Sequence, residues 1–224
     1  MRSGAAMLAG AAAALVCAAP AQAFTPKVTN AWYPLQPGMK WVYEGREDGQ
    51  RARDVVRVLD RVEMVDGVPC AVVRDRLFRN GKLRERTTDW YTQDDRGRVW
   101  YYGEATAELD RHGKVVSREG SWRAGRDGAR PGIFMPKHPR VGQRFEQEHF
   151  PGHAEDHFEV LTLHASITTP FARYDGDVLK TKEWTPLEPG VRDRKYYVRG
   201  IGQVAERTVK GGTDDLRLAA FSDG

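Results

Sequence analysis

The sequence predicts an all-β protein built from a strongly curved antiparallel sheet or a half-open barrel. Short runs of alternating apolar and polar residues recur along the chain, and turn residues separate them. No window keeps the period of an amphipathic helix over three turns. The 22 aromatic residues (6 Trp, 8 Tyr and 8 Phe) can anchor a core. Bulky rings in alternating strands favour a curved sheet that either fills its inside or leaves a pocket there.

The first 23 residues show the three regions of a secretory signal peptide. A basic start at Arg2 precedes an apolar run from Ala5 to Ala19, and Ala21-Gln22-Ala23 is a small-x-small cleavage site. The apolar run is shorter than the roughly 20 residues that a membrane-spanning helix needs. We therefore expect export to the periplasm or the extracellular space, cleavage near Ala23, and no transmembrane segment in the mature chain.

Residues 24–224 are predicted to form a single β-rich domain, because no linker, repeat or low-complexity segment divides them. The 35 basic and 31 acidic residues alternate along the chain, whereas nucleic-acid binders concentrate their cations, so no nucleic-acid partner is expected. Cleavage would leave Cys70 as the one cysteine, which excludes an intramolecular disulfide. Cys70 lies in an apolar run and is expected to be buried.

Turn residues separate the predicted strands along the chain. Asn80-Gly81 is the strongest hairpin signal, and Asp66-Gly67 precedes it. The segment 120–142 is rich in glycine and proline and is predicted to be a long loop. The predicted strands span 41–44, 54–59, 62–65, 68–78, 83–92, 99–102, 145–149, 157–163, 177–184, 195–198 and 203–209.

Two motifs frame the mature chain. Tyr33 to Gly45 reads YPLQPGMKWVYEG, and Lys195 to Val204 reads KYYVRGIGQV. With the segments 89–94, 99–104, 152–156 and 181–190, they resemble a family of uncharacterised exported bacterial β-proteins. Members of that family open with a YFPL-x-PG-x-x-W-x-Y segment and close with a YY-x-x-G-x-G-x-V segment. The resemblance covers nearly the whole mature chain and implies an antiparallel β fold and bacterial export, but no activity.

Six aromatic residues fall within the 33 positions from 90 to 122. Neighbours on a strand point to opposite faces, so some of these rings build the core while others line a cavity, lie under the loop or face solvent. The first functional hypothesis is a binding module for an apolar ligand or an envelope partner, such as a lipid, a glycan or an envelope protein. The alternative is simple core packing. The candidate ligand-binding residues are Trp90, Trp100, Tyr102 and Trp122.

The hairpin 146–159 carries three of the six histidines and five carboxylates. A turn at 151–152 would place Glu148 opposite Glu155, Phe150 opposite His153, and Glu146 opposite His157. The second hypothesis is a metal-binding protein or a metal-dependent enzyme that uses this hairpin. The alternative is a solvated polar face.

The candidate metal ligands are Glu148, His153, Glu155 and His157. Four residues of a strand span roughly 13 Å, so at most one of the two histidines can share an ion with the glutamate pair. A divalent metal is the one cofactor that the sequence suggests. No nucleophile elbow or phosphate-binding loop is present, so no catalytic residue is assigned. A third hypothesis is a structural envelope protein without a small ligand.

Overall fold

The computed structural model describes residues 23–224, so the predicted signal peptide lies outside the described residues except for Ala23. Within this range the chain forms β-strands and no helix. None of the described residues therefore belongs to a helix long and apolar enough to cross a membrane. The strands in chain order are β1 Phe24–Thr25, β2 Lys40–Glu47, β3 Gln50–Val65, β4 Val68–Arg79, β5 Lys82–Asp94, β6 Val99–Leu109, β7 Val115–Ser117, β8 Trp122–Arg123, β9 Arg130–Met135, β10 Arg144–Glu146, β11 Glu148–His149, β12 His157–Thr168, β13 Arg173–Trp184, β14 Arg192–Val198, β15 Gly202–Lys210 and β16 Asp215–Ser222.

Three tight turns connect β2 to β5 as a meander. Each is a two-residue loop, Asp48-Gly49, Asp66-Gly67 or Asn80-Gly81, and all six residues have positive φ. This is the geometry of a type I′ turn, whose twist matches that of the flanking strands. The Asp-Gly and Asn-Gly pairs therefore fix where these four strands begin and end.

The strands form one antiparallel sheet in the order β10-β12-β13-β14-β15-β16-β2-β3-β4-β5-β6-β9-β11. β16 pairs with β2 and so joins the two ends of the chain. The two ends of the sheet, β10 and β11, follow one another along the chain and are separated by Gln147 alone. The sheet therefore nearly closes on itself into a barrel with one unsealed seam, which confirms the predicted fold class.

The segment 120–142 is more ordered than the loop expected there. It contains β8 and β9, which both pair with β6, and β9 also pairs with β11. Gly132 lets β9 approach closely: a Cβ at this position would lie 2.3 Å from the carbonyl oxygen of Gln147. Glycine and proline lower the intrinsic preference of this segment for a strand. β9 therefore forms because it pairs with β6 and β11, which are distant in sequence, and the local sequence does not predict it.

The core is made of aliphatic and aromatic side chains between the curved sheet and the segments that cover it. Val58, Val72 and Leu218 are among the fully buried residues. Cys70 is buried as expected, and burial raises the pKa of its thiol to about 12, so it is a small apolar core residue.

Candidate ligand-binding cavity

The inside of the barrel contains a cavity of about 290 Å³. One part of its wall is aromatic and consists of Tyr33, Trp41, Tyr43, Tyr91, Tyr101 and Phe134. The other part is acidic and contains seven carboxyl groups, which belong to Asp54, Asp75, Asp89, Glu104, Glu148, Asp156 and Glu206. Among the described residues that line the cavity, Lys195 is the one cationic side chain.

Strand alternation explains why these side chains face inwards. Side chains two positions apart share a face, so Asp89 and Tyr91 on β5 both reach the cavity. On β6 the alternation is interrupted at Gly103, which has φ +134° and lies at a register shift against β5. The bulge brings Tyr101 and Glu104, three positions apart, to the same cavity.

Asp54 on β3 and Asp75 on β4 form the first acidic pair. Burial raises the pKa of Asp54 to about 6 and, together with the charge of Asp54, raises that of Asp75 well above its ordinary value. The two carboxyl groups hydrogen-bond each other, which requires a proton between them. Oδ1 of Asp54 accepts no hydrogen bond from the described residues, although Asp54 is only 9% exposed.

Asp89 is held by a tyrosine. The hydroxyl of Tyr101 donates to Oδ1 of Asp89 over 2.6 Å. Burial nevertheless raises the pKa of Asp89 to about 8. The ring of Tyr101 stacks on Tyr91, with the ring centroids 4.6 Å apart and the planes at 11°. Tyr91 in turn meets Tyr33 edge to face at 5.4 Å, so the acid lies beside a wall of rings.

Glu104, Glu148 and Asp156 form a second acidic group near the seam. Burial raises the pKa of Glu148 to about 8 and that of Glu104 well above its ordinary value. The charge of Asp156 raises both pKa values further, and the charge of Glu148 also raises that of Glu104. Each glutamate receives one hydrogen bond. Thr106 Oγ1 donates to Glu104 over 2.9 Å, and Trp122 Nε1 donates to Glu148 over 3.3 Å.

Lys195 forms ion pairs with a third acidic group, Glu183 and Glu206, and its charge also acts to lower the pKa values of Glu148 and Asp156. Its Nζ lies 2.8 Å from Oε2 of Glu183 and 3.7 Å from Oε1 of Glu206. Burial alone would lower the pKa of Lys195, but these two carboxylates raise it well above its ordinary value, so the lysine stays charged. Burial raises the pKa of Glu206 to about 7 even with Lys195 beside it. The cavity therefore offers hydrogen-bond donors and acceptors together with an excess of acidic groups.

The four aromatic residues predicted to bind a ligand are placed mainly outside the cavity. Trp90 donates to Glu63 over 2.9 Å and lies under the guanidinium of Arg123. Tyr102 packs against Phe24. Trp100 donates a hydrogen bond to Asp94 on the outer face of the sheet. Trp122 contacts the cavity wall, because it donates a hydrogen bond to Glu148 and packs against the ring of Tyr101.

Three of the four predicted metal ligands, Glu148, Glu155 and His157, line one small pocket of about 120 Å³, whereas His153 does not line it. Glu148 faces the cavity, whereas Glu155 accepts a hydrogen bond from the backbone of Gly152. His153 stacks on Phe150, and His157 stacks on Trp184. No group of three or more His, Cys, Asp or Glu side chains in the part of the chain described is arranged to hold a metal ion. Metal binding by the hairpin stays a prediction.

The hairpin register agrees with the expectation in part. Glu146 pairs with His157, as expected. Phe150 pairs with Ala154 instead of His153, and the backbone nitrogen of Glu148 donates to the carbonyl of Asp156. The loop is therefore one residue longer than the two-residue turn assumed from Pro151-Gly152, because residues 151–153 all lie inside it.

Sequence reasoning missed most of the cavity residues. A signal was present, because Asp75 shares the face of Val73 and Asp89 shares the face of Tyr91. A carboxylate two positions from a core residue is expected to face the core. What the sequence lacked was the closure of the sheet, which brings carboxylates from β3, β5, β6 and β15 to one space.

Comparisons with known proteins leave the chain without a family. No family model matches it, and no curated protein matches its sequence. Among solved structures, a protein from Parabacteroides distasonis described as a "putative lipoprotein" aligns with 85% of this chain and 97% of its own, at 13% identity and a TM-score of 0.45. A likeness of this strength carries no argument about the function of this chain.

Proposed function

We propose that this protein is an exported binding module that holds a small polar ligand inside its barrel. The expectation of export comes from the signal peptide pattern in residues 1–23 and from the resemblance to exported bacterial proteins. The single observation that carries the proposal is the cavity of about 290 Å³ with its seven carboxyl groups. That volume lies at the lower end of the range for small-molecule sites, roughly 300–1,000 Å³.

The wall chemistry favours a polar ligand over the apolar one expected from the aromatic residues. An apolar molecule would displace water from the carboxyl groups without replacing its hydrogen bonds, and that costs free energy. A polar molecule replaces them. Most carboxyl groups of the acidic wall have no ion-pair partner, and burying them without a counter-charge destabilises the fold. Their presence in the barrel is most simply explained by a ligand.

The proposal is tested with a panel of small polar and apolar compounds of similar size, screened by thermal shift on residues 24–224. Val56 lines the cavity, so Val56→Phe is expected to fill part of it and to weaken binding of every hit at least tenfold. Val62 lies on the same strand but is 55% exposed, so Val62→Phe is the matched control and should bind normally. Circular dichroism confirms that both variants fold.

Two outcomes would contradict the proposal. One is a set of hits whose affinity is the same in Val56→Phe and in the native protein, which would place binding outside the barrel. The other is a panel in which only apolar compounds bind, which would restore the original expectation of an apolar ligand.

A further inference from the structure

The cavity has many more groups that can become negative than groups that are positive, and this excess narrows the chemistry of the ligand. Seven carboxyl groups line the space, whereas the lining supplies one cation, Lys195. Lys195 already forms ion pairs with Glu183 and Glu206. The charge of Lys195 also favours the ionised forms of Glu148 and Asp156, so the acidic pair of Asp54 and Asp75 is a part of the wall without a cationic partner among the lining residues.

Asp54 provides a specific hydrogen-bond acceptor for a ligand within this acidic wall. Its carboxyl group shares a proton with Asp75, but its buried Oδ1 accepts no hydrogen bond from an N–H or a hydroxyl group of the described residues. A buried carboxylate oxygen without a donor is unfavourable, and a ligand N–H placed there would remove the penalty. Asp54 belongs to the cavity wall, so a bound molecule can reach it.

The aromatic wall suits a cation as well. The rings of Tyr33, Tyr91 and Tyr101 are packed edge to face or stacked, and all three line the cavity with Trp41. The face of an aromatic ring carries a negative potential that attracts ammonium groups. Carboxyl groups and aromatic rings that line one small space are the two features that favour an organic ammonium ion.

An inorganic ion fits less well. No group of three or more His, Cys, Asp or Glu side chains among residues 23–224 is arranged to coordinate a metal. A cavity of about 290 Å³ is also far larger than one ion requires. Neutral polyols would form hydrogen bonds but would bring no positive charge to favour ionisation of the carboxyl groups, and an anion would disfavour that ionisation further.

We infer that the cavity binds a small organic ammonium compound, a primary amine or diamine, with one ammonium group donating to Asp54 and the carbon chain against the tyrosine rings. This inference rests on the proposed binding function and assigns the class of its ligand. It predicts that the charge of the ligand, and not only its size and hydrogen-bonding capacity, decides affinity.

A matched series separates charge from size. 1,4-Diaminobutane, 1,4-butanediol and succinate share a four-carbon backbone but carry positive, zero and negative charge at neutral pH. Isothermal titration calorimetry on residues 24–224 at pH 7 is expected to show binding of the diamine, at least tenfold weaker binding of the diol and none of succinate. Titrations in two buffers with different ionisation enthalpies should show that the diamine releases protons, because a cation favours the ionised carboxyl groups.

Substitutions locate the site. Asp54→Asn is expected to weaken diamine binding at least tenfold and to reduce proton release, without loss of folding, because the change removes a buried charge. Glu206→Gln gives a second variant in case Asn at position 54 disturbs the fold. Glu188 is exposed and does not line the cavity, so Glu188→Gln is the matched control and should bind like the native protein.

Several results would overturn the inference about the ligand class without contradicting the proposed binding function, which the compound panel and Val56→Phe test separately. The diol binding as tightly as the diamine would show that charge is irrelevant, although a polar ligand would still bind. No binding of the diamine, while the wider panel gives cavity hits, would assign the cavity to another class of ligand. Calcium chloride stabilising the protein as strongly as the diamine would indicate an inorganic cation.

Discussion

The contact between Tyr101 and Asp89 is the best-defined polar contact of the cavity wall. Both residues are more than nine-tenths buried, and the hydroxyl donates over 2.6 Å. Short hydrogen bonds to a buried carboxyl group are stronger than average, and loss of the donor leaves the acceptor unsatisfied. This one contact therefore links the acidic wall to the stack of rings.

We predict that Tyr101→Phe lowers the free energy of unfolding by about 1–3 kcal/mol, the usual cost of leaving a buried polar group without its partner. Urea unfolding followed by circular dichroism measures the change. Tyr174 provides the matched control, because its buried hydroxyl has no partner among the described residues. Tyr174→Phe should be neutral or slightly stabilising. An equal loss in both variants would show that the contact with Asp89 adds nothing.

At the scale of elements, the seam depends on one short segment. Residues 144–149 pair with β12 through β10 and then with β9 through β11, so this segment is what links the two ends of the sheet. The crossing is close, because the backbone of Gly132 lies against the carbonyls of Glu146 and Gln147. The side chain of Gln147 is buried there and donates to the carbonyl of Phe134.

We predict that Gly132→Ala destabilises the protein, because its Cβ would lie 2.3 Å from the carbonyl oxygen of Gln147, which belongs to the backbone and cannot rotate away. Overpacking of this kind costs about 1–3 kcal/mol, and each kcal/mol lowers the melting temperature of a domain of this size by about 2–4 °C. Differential scanning calorimetry measures the shift. Gly190→Ala is the control, since nothing lies within 4 Å of its added Cβ. An unchanged melting temperature in Gly132→Ala would mean that the backbone of residues 146–147 can move away from β9 without loss of stability.

The turn at Asn80-Gly81 allows a cleaner test of backbone conformation. Gly81 has φ +76°, and no atom lies within 4 Å of an added Cβ, so Gly81→Ala changes conformational strain alone. We expect a loss of about 1–2 kcal/mol, the cost of a left-handed conformation for an ordinary residue. Urea unfolding checks it. A stability equal to that of the native protein would indicate that the hairpin adopts another turn type at little cost.

These elements also show which parts of the fold the sequence alone predicts. The hairpin at Asn80-Gly81 was predictable because its signal is local. The faces of Tyr91 and Tyr101 were not, since they depend on the bulge at Gly103 and on the register between β5 and β6. β9 was missed because its paired residues lie 31 to 36 positions before it and 17 to 19 positions after it. Alternation gives two faces to each strand, but only sheet closure decides which face is inside.

At the scale of the whole molecule, charge is sorted between inside and outside. The sequence has a formal charge of +4, yet the cavity wall has seven carboxyl groups and one lysine. The rest of the chain must therefore be more basic than the overall composition suggests. Net charge alone gave no hint of an acidic interior, which follows only from the three-dimensional closure of the barrel.

The acidic interior predicts an unusual dependence of stability on pH. The pKa values of Asp54, Glu206, Asp89 and Glu148 are raised to about 6, 7, 8 and 8, mainly by burial. In the unfolded chain these groups titrate near 4. Between about pH 4 and pH 8 the folded protein therefore binds more protons than the unfolded chain does. The free energy of unfolding falls as the pH rises through this range.

We therefore predict that the melting temperature falls steadily from pH 5 to pH 8, whereas carboxylates with lowered pKa values, such as Glu159, affect stability only below this window. Calorimetry across the range measures the slope, and a fall of at least about 2–4 °C corresponds to 1 kcal/mol in a domain of this size. Glu148→Gln removes one of the titrating groups and should flatten the slope, while the exposed Glu188→Gln should leave it unchanged. A melting temperature that rises over this range would mean that the cavity carboxyl groups titrate near their ordinary pKa values, because water or ions inside the barrel would then compensate their charges fully.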